Sequence, residues 1–338
     1  MSRQAWRWAV LVAGLCVAMP AAMPARAVEP EKVTLAIPAF SFSFTMEYVA
    51  QDLGFFAHQG LTVQELDIAG LGAINALIAG SVDFSLASGA SLTRAAAKGQ
   101  RLLNIAALSD RPFAQIVMRK DAAEKAGFDP KASLAQRAQT LKGLTVAVDG
   151  INTVNHAYLR VIAGVGGYDP ESLKTAIVAA PSLPAAFATN QIDAFVMTPP
   201  WPEKVLVEGS AVLIASGPDG DPENLSPMIN SVLLTRPELC EKRAPLCMKM
   251  GHAYAEAAVV IRDAPEKALA VLKKRFATLD DKTVEASFAV LRKITPSPPA
   301  PTLDGIRNNE TYNVMAGLLK PEEALKSFDG LFTDKYVR

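Results

Sequence analysis

The chain has 338 residues, half of them hydrophobic, with 34 basic and 34 acidic side chains in balance. That balance offers no basic stripe for nucleic acid, and so apolar a chain is not a disordered one. The length exceeds what one hydrophobic core holds comfortably and suits two domains.

Residues 1–27 read as an export signal. Arg3 and Arg7 open a positive start, Trp8 to Met19 is apolar, and Ala25-Arg26-Ala27 is a small-x-small cleavage site. The apolar run is shorter than the roughly 20 residues that span a bilayer, and Pro20 and Pro24 interrupt the segment. Leu15 before Cys16 is too large for a lipidation site. Cleavage after Ala27 leaves 311 residues (338 less 27) and a formal charge of −3, from 31 basic and 34 acidic groups. The expected compartment is the periplasm.

From there the chain reads as alternating strands and helices. Lys32 to Ile37 is a strand, followed by a Ser/Phe turn through Thr45 and a helix from Met46 to Leu53. Thr62 to Ile68, Val82 to Ala87 and Leu103 to Leu108 are further strands, with helices at Ala73 to Ala79 and from Ser88 to about Gly99. Phe113 to Arg119 is a strand opening a second unit, and Asp121 to Leu141 is polar and helical. Strands near Leu144, Leu173 and Gln191 then alternate with helices entered at Asn152 and Leu183. A helix at Trp201 to Glu208 and a strand at Ala211 to Ala215 follow. Gly217 to Pro222 is a turn cluster, and Met228 to Thr235 is a strand returning to the first unit. The rest is helical apart from a Pro-rich break at residues 296–301, and is expected to cover the first lobe. Cys240 and Cys247 are seven residues apart. In an oxidising compartment they are expected to form a disulfide, the alternative being two partly buried thiols.

Two stretches echo each other. Ala76 to Ser88 and Ala186 to Thr198 both read helix end, stop, Asp, apolar strand and hydroxyl, with Asp193 110 residues after Asp83. Val33 to Ile37 likewise matches Leu144 to Val148. Two similar α/β units side by side make a cleft, and open α/β sheets bind ligands beyond the carboxyl ends of their strands. Helix starts there present unpaired N–H groups. The candidate ligand contacts lie on five such turns: Phe40, Ser41 and Phe42; Gly70; Ser88, Gly89 and Ser91; Asn152, Thr153, Asn155 and His156; Thr198 and Trp201. Hydroxyls, amides and aromatics together suit a ligand with a polar or anionic head and an apolar body. The echo puts Ser88 and Thr198 opposite each other. Asp83 and Asp193 read as turn formers. Ser and Thr at helix starts also serve simply as caps, and Phe42 as core.

The order of these elements carries a resemblance. Tyr48 to Val63, Ala76 to Asp83 and Leu141 to Val148 resemble the recurring stretches of nitrate/sulfonate/taurine-type substrate-binding proteins of ABC importers, over essentially all of residues 28–338. The resemblance implies a type II periplasmic-binding-protein fold: two α/β lobes joined by two crossover strands, with a ligand cleft between them. Lobe 1 would comprise residues 28–112 and 225–338, and lobe 2 residues 113–224. It implies a monomer that captures a small organic anion (sulfonate-, taurine- or nitrate-like, or an aromatic carboxylate) and delivers it to an ABC permease at the inner membrane. No cofactor, metal or nucleic acid is expected. The alternative is a periplasmic enzyme or ligand sensor on the same fold, as in thiamine-pyrimidine synthases, whose run of closely spaced cysteines is absent here. No Gly-x-Ser-x-Gly elbow or phosphate-cradling Gly-Lys-Ser/Thr loop appears, and His58, His156 and His252 are far apart.

Overall fold

Short aliphatic runs bounded by Gly, Asn and Pro build the strands of the computed structural model, which describes residues 29–338. The expected export segment and its cleavage after Ala27 lie outside the described residues. The strands are β1 (Glu31–Ile37), β2 (Leu61–Asp67), β3 (Phe84–Ser88), β4 (Leu103–Ala107), β5 (Gln115–Arg119), β6 (Thr145–Val148), β7 (Lys174–Ile177), β8 (Ala194–Met197), β9 (Ala211–Ser216) and β10 (Ser231–Thr235). They form two five-stranded sheets, ordered β2-β1-β3-β10-β4 and β7-β6-β8-β5-β9. The orders interconvert when each strand is replaced by its echo.

In each sheet one strand runs antiparallel to both neighbours, β10 in the first and β5 in the second. Each is the strand the chain enters on crossing from the other sheet. The crossings, residues 108–114 and 217–230, are irregular segments rather than regular strands, and they run together. Met228 N–H donates to the Asp110 carbonyl at 2.8 Å, and Gly217 N–H to the Ala114 carbonyl at 3.0 Å.

The echoed aspartates have a common job. Asp83 Oδ2 accepts the Thr34 N–H at 2.9 Å, and Asp193 Oδ2 accepts the Thr145 N–H at 2.9 Å. Each fastens the turn before the third strand of its unit to the first strand. Each sheet is buried on both faces, as parallel sheets covered by helices are. One face of the first sheet packs on helices Thr45–Asp52 and Ala244–Asp263, and the other on Leu71–Ile78, Gly89–Ala97 and Leu303–Met315.

Three expectations are corrected. Asp121 to Leu141 is two short helices, Lys120–Lys125 and Leu134–Gln139, because Gly127 takes a left-handed φ of 67° and Asp129-Pro130 breaks the run. The chain ends in one helix, Leu303–Met315, followed by a short 3-10 turn and an irregular tail whose Phe332 bridges to Asn104. The C-terminal helices also reach beyond the first sheet. Tyr312 donates to the Val154 carbonyl at 2.6 Å, Asn313 to the Ala90 carbonyl at 2.9 Å, and Lys293 pairs with Asp219 at 2.8 Å. Helix Leu303–Met315 therefore touches both units. Cys240 and Cys247 are joined, with Cα atoms 5.6 Å apart, at the start of helix Ala244–Asp263.

Candidate functional site

A cavity of about 480 Å³ opens between the carboxyl ends of the two sheets. Its first wall is the turn after β1. Ser41 caps a 3-10 turn there, its Oγ accepting the Ser43 N–H at 3.2 Å, and its own N–H donates to the Tyr48 hydroxyl at 3.2 Å. The Ser/Phe turn expected from the sequence is this 3-10 turn. Phe42 and Phe44 both turn inward, at 0% and 6% exposure, while Phe40 is 63% exposed at the cavity rim. Phe42 is thus core, correcting its assignment as a ligand contact, whereas Phe44 joins the lining.

The second part of this wall comes from far along the chain. Residues 276–279, after helix Pro265–Arg275, bring Phe276, Thr278 and Leu279 into the lining. Phe276 stacks on Phe40, ring centroids 4.2 Å apart, and tilts against Phe42 at 4.4 Å. Its neighbour Arg275 holds Asp52 at 2.7 Å and lies over the Tyr48 ring at 4.5 Å. Nothing in the local sequence around Phe276 marks it, since its only signal is tertiary.

The opposite wall belongs to the second sheet. Asp149 Oδ1 accepts from the Thr153 hydroxyl at 2.8 Å and Oδ2 from the Asn155 amide at 3.1 Å. Asn155 is 2% exposed, and its Oδ1 has no hydrogen-bond partner among the described residues. Thr198 also makes no side-chain hydrogen bond among the described residues and lines the cavity with Met197, Pro200 and Trp201. Ala180 and Pro181 close the side. Among the described residues no Lys, Arg or His lines this cavity, and the one charged side chain is Asp149.

Of the sequence-derived contacts, Phe40, Ser41, Asn155, Thr198 and Trp201 come together here. The others are elsewhere. Thr153 caps helix Val154–Val165, its Oγ1 accepting the His156 N–H at 3.1 Å. His156 Nδ1 accepts the N–H of Asn152, whose φ is 60°, so the ring is neutral; burial pushes its pKa down. Asn152 and His156 line a separate small pocket with Arg160 and Glu171. Gly70 turns with a φ of 58° and does not line the cavity. Ser88 caps helix Gly89–Ala97 through the Ser91 N–H at 3.1 Å, and it does not meet Thr198 across the cavity. At Gly89 a Cβ would fall 2.1 Å from the Ile229 carbonyl oxygen, so the glycine serves close packing. Asn309 of helix Leu303–Met315 also packs against Gly89.

A family model described as NMT1/THI5 like matches residues 41–268, two thirds of the sequence. The chain belongs to the NMT1/THI5-like family. A search of curated proteins by sequence finds no match. Among solved structures, this NMT1/THI5-like chain is similar to a protein of Bordetella bronchiseptica RB50 at 18% identity and TM-score 0.73, covering 92% of this chain and 96% of that one. It is similar to the alkanesulfonate-binding protein SsuA from Xanthomonas axonopodis pv. citri bound to MOPS, at 19% identity and TM-score 0.66, covering 88% and 97%. The periplasmic nitrate-binding protein NrtA from Synechocystis PCC 6803 follows at 18% identity and TM-score 0.60, covering 77% and 70%. These likenesses carry the fold, which is that of the periplasmic binding proteins.

Proposed function

We propose that this protein is the solute-binding component of an ABC importer, exported to the periplasm, where it captures a small organic solute and delivers it to a membrane permease. The observation that carries this reading is the cavity between the two sheets, lined from both units by aromatic and hydroxyl or amide side chains. Such a site grips an apolar body between rings and orients a polar head by a few hydrogen bonds. The family and the fold support the transport role.

The lining bears on the head group. An anion, as in the sulfonate- and nitrate-binding proteins of this fold, would have to be held by hydroxyls and N–H groups beside the Asp149 carboxylate. Asp149, the one charged side chain of the lining, instead presents an acceptor. The reading supported best is therefore a flat or apolar solute whose head donates hydrogen bonds, because a carboxylate repels an anion and accepts from a donor.

A thermal-shift panel of alkanesulfonates, taurine, nitrate, aromatic carboxylates, aromatic amines and neutral heterocycles tests it. Saturable stabilisation without change of the compound supports capture. Conversion of any of them to product would overturn the binding role, and stabilisation by anions alone would overturn the donor head.

A further inference from the structure

A second cavity of about 480 Å³ lies on the first unit, in the groove between helices Leu71–Ile78 and Gly89–Ala97. It shares no lining residue with the cleft. One side is an apolar strip of Leu71, Ile74, Ile78 and Ala95, of which Leu71 and Ile78 are 62% and 37% exposed. The polar lining is Asn75, Ser91, Arg94, Lys98 and Gln100, which includes two cations and no carboxylate.

Arg94 is the telling residue. Its one hydrogen bond goes to Ser91 Oγ at 3.1 Å, and it forms no ion pair among the described residues. Arg137, Arg119 and Arg275 are matched to carboxylates, Asp221 at 3.2 Å, Asp193 at 3.2 Å and Asp52 at 2.7 Å, and Arg236 is held by the Leu77 and Val82 carbonyls. A guanidinium stays charged when partly buried, and the remaining Arg94 N–H groups are left free to meet an anion in the groove. Burial pushes the Arg94 pKa down, as expected for a cation without a counter-charge. The fork geometry suits a carboxylate in a bidentate contact, with Lys98 adding charge at the helix end and the apolar strip left to cover a hydrocarbon tail.

We propose that this groove is a second ligand site, binding a fatty-acid-like carboxylate with its head on Arg94 and its alkyl chain along Leu71, Ile74 and Ile78. It is independent of the cleft. A membrane-derived fatty acid and a free short-chain acid offer the same chemistry, and chain length separates them.

Calorimetric titration of the full-length protein with hexanoate, octanoate and dodecanoate tests the site. Octanoate is expected to bind, octanol about tenfold or more weakly, and tighter binding of dodecanoate would point to the membrane-derived acid. Arg94→Gln is expected to lower octanoate affinity about tenfold or more, and exposed Lys98→Glu to lower it severalfold with folding intact. Trp201→Ala, in the cleft, is expected to leave it unchanged. No octanoate binding, octanol binding as tightly as octanoate, or loss of binding in Trp201→Ala with retention in Lys98→Glu would overturn the proposal. Running the cleft panel on Arg94→Gln, which removes the groove's anion contact and leaves the cleft lining intact, separates the two sites.

Discussion

Phe276 lies against Phe40 with ring centroids 4.2 Å apart and 22° between the ring planes. One ring comes from the first turn of the described chain and the other from its C-terminal helical part, and their contact makes one wall of the cleft. Phe40 is 63% exposed, so its truncation takes little from the core. Phe40→Ala is expected to shift Tm by little, within the ±0.5 kcal/mol or so of surface changes, yet to weaken the cleft ligand about tenfold. Fluorescence or calorimetric titration checks this, and unchanged affinity would mean that the solute does not touch this ring.

Asp149 decides the sign of the head group. Asp149→Asn keeps the shape and removes the charge beside Asn155. For a solute that donates hydrogen bonds or carries positive charge, affinity is expected to fall about tenfold or more. For an anion the same variant would bind more tightly, so one pair of titrations separates the two.

Glu203 supplies a pH test. It is 3% exposed, neither carboxylate oxygen has a hydrogen-bond partner among the described residues, and burial pushes its pKa from an ordinary 4.5 up to about 7. The unfolded chain releases this proton near the ordinary value and the folded chain only near 7. The contribution of Glu203 to stability is therefore complete below about pH 4.5, declines across that window and is lost above about pH 7. Glu203→Gln is expected to raise stability at pH 8 by on the order of 2 kcal/mol and to change it little at pH 4. Urea unfolding at both pH values measures it; an equal effect at the two would show that the charge is not the cause.

Asp193 makes the opposite kind of prediction. Asp193→Ala removes the acceptor of the Thr145 N–H and the partner of Arg119, which is expected to cost about 1–3 kcal/mol in denaturant unfolding. Ligand affinity should stay within about twofold at temperatures where the variant is folded. A large affinity loss would give this residue a role in the site as well as in the scaffold.

These residues also mark how far the sequence could be read. The echo at Asp83 and Asp193 was legible because both units solve one local problem, fastening a turn to a first strand within about fifty residues. The two sheets then repeat one strand order. The cleft was legible in part: Phe40, Ser41, Asn155, Thr198 and Trp201 sit on turns at strand ends, where the fold concentrates binding groups. Ser88 and Thr198 fail as a facing pair because Asn309 packs on Gly89 from a helix more than two hundred residues away. Phe276 was invisible for the same reason. Periodicity reports which face of a helix is apolar and is silent on which sheet the loop beyond it will reach.

Helix Leu303–Met315 hydrogen-bonds to both Val154 and Ala90, and Lys293 ties helix Asp281–Ile294 to Asp219 across the other flank. Together with the two crossing segments, one of which carries Asp219, these contacts strap the units to each other. On the proposed reading, units strapped in this way are expected to close through a small angle. A chamber so preformed is expected to leave little disorder to surrender on binding. Small-angle scattering should accordingly see nearly the same envelope for the empty and the loaded molecule.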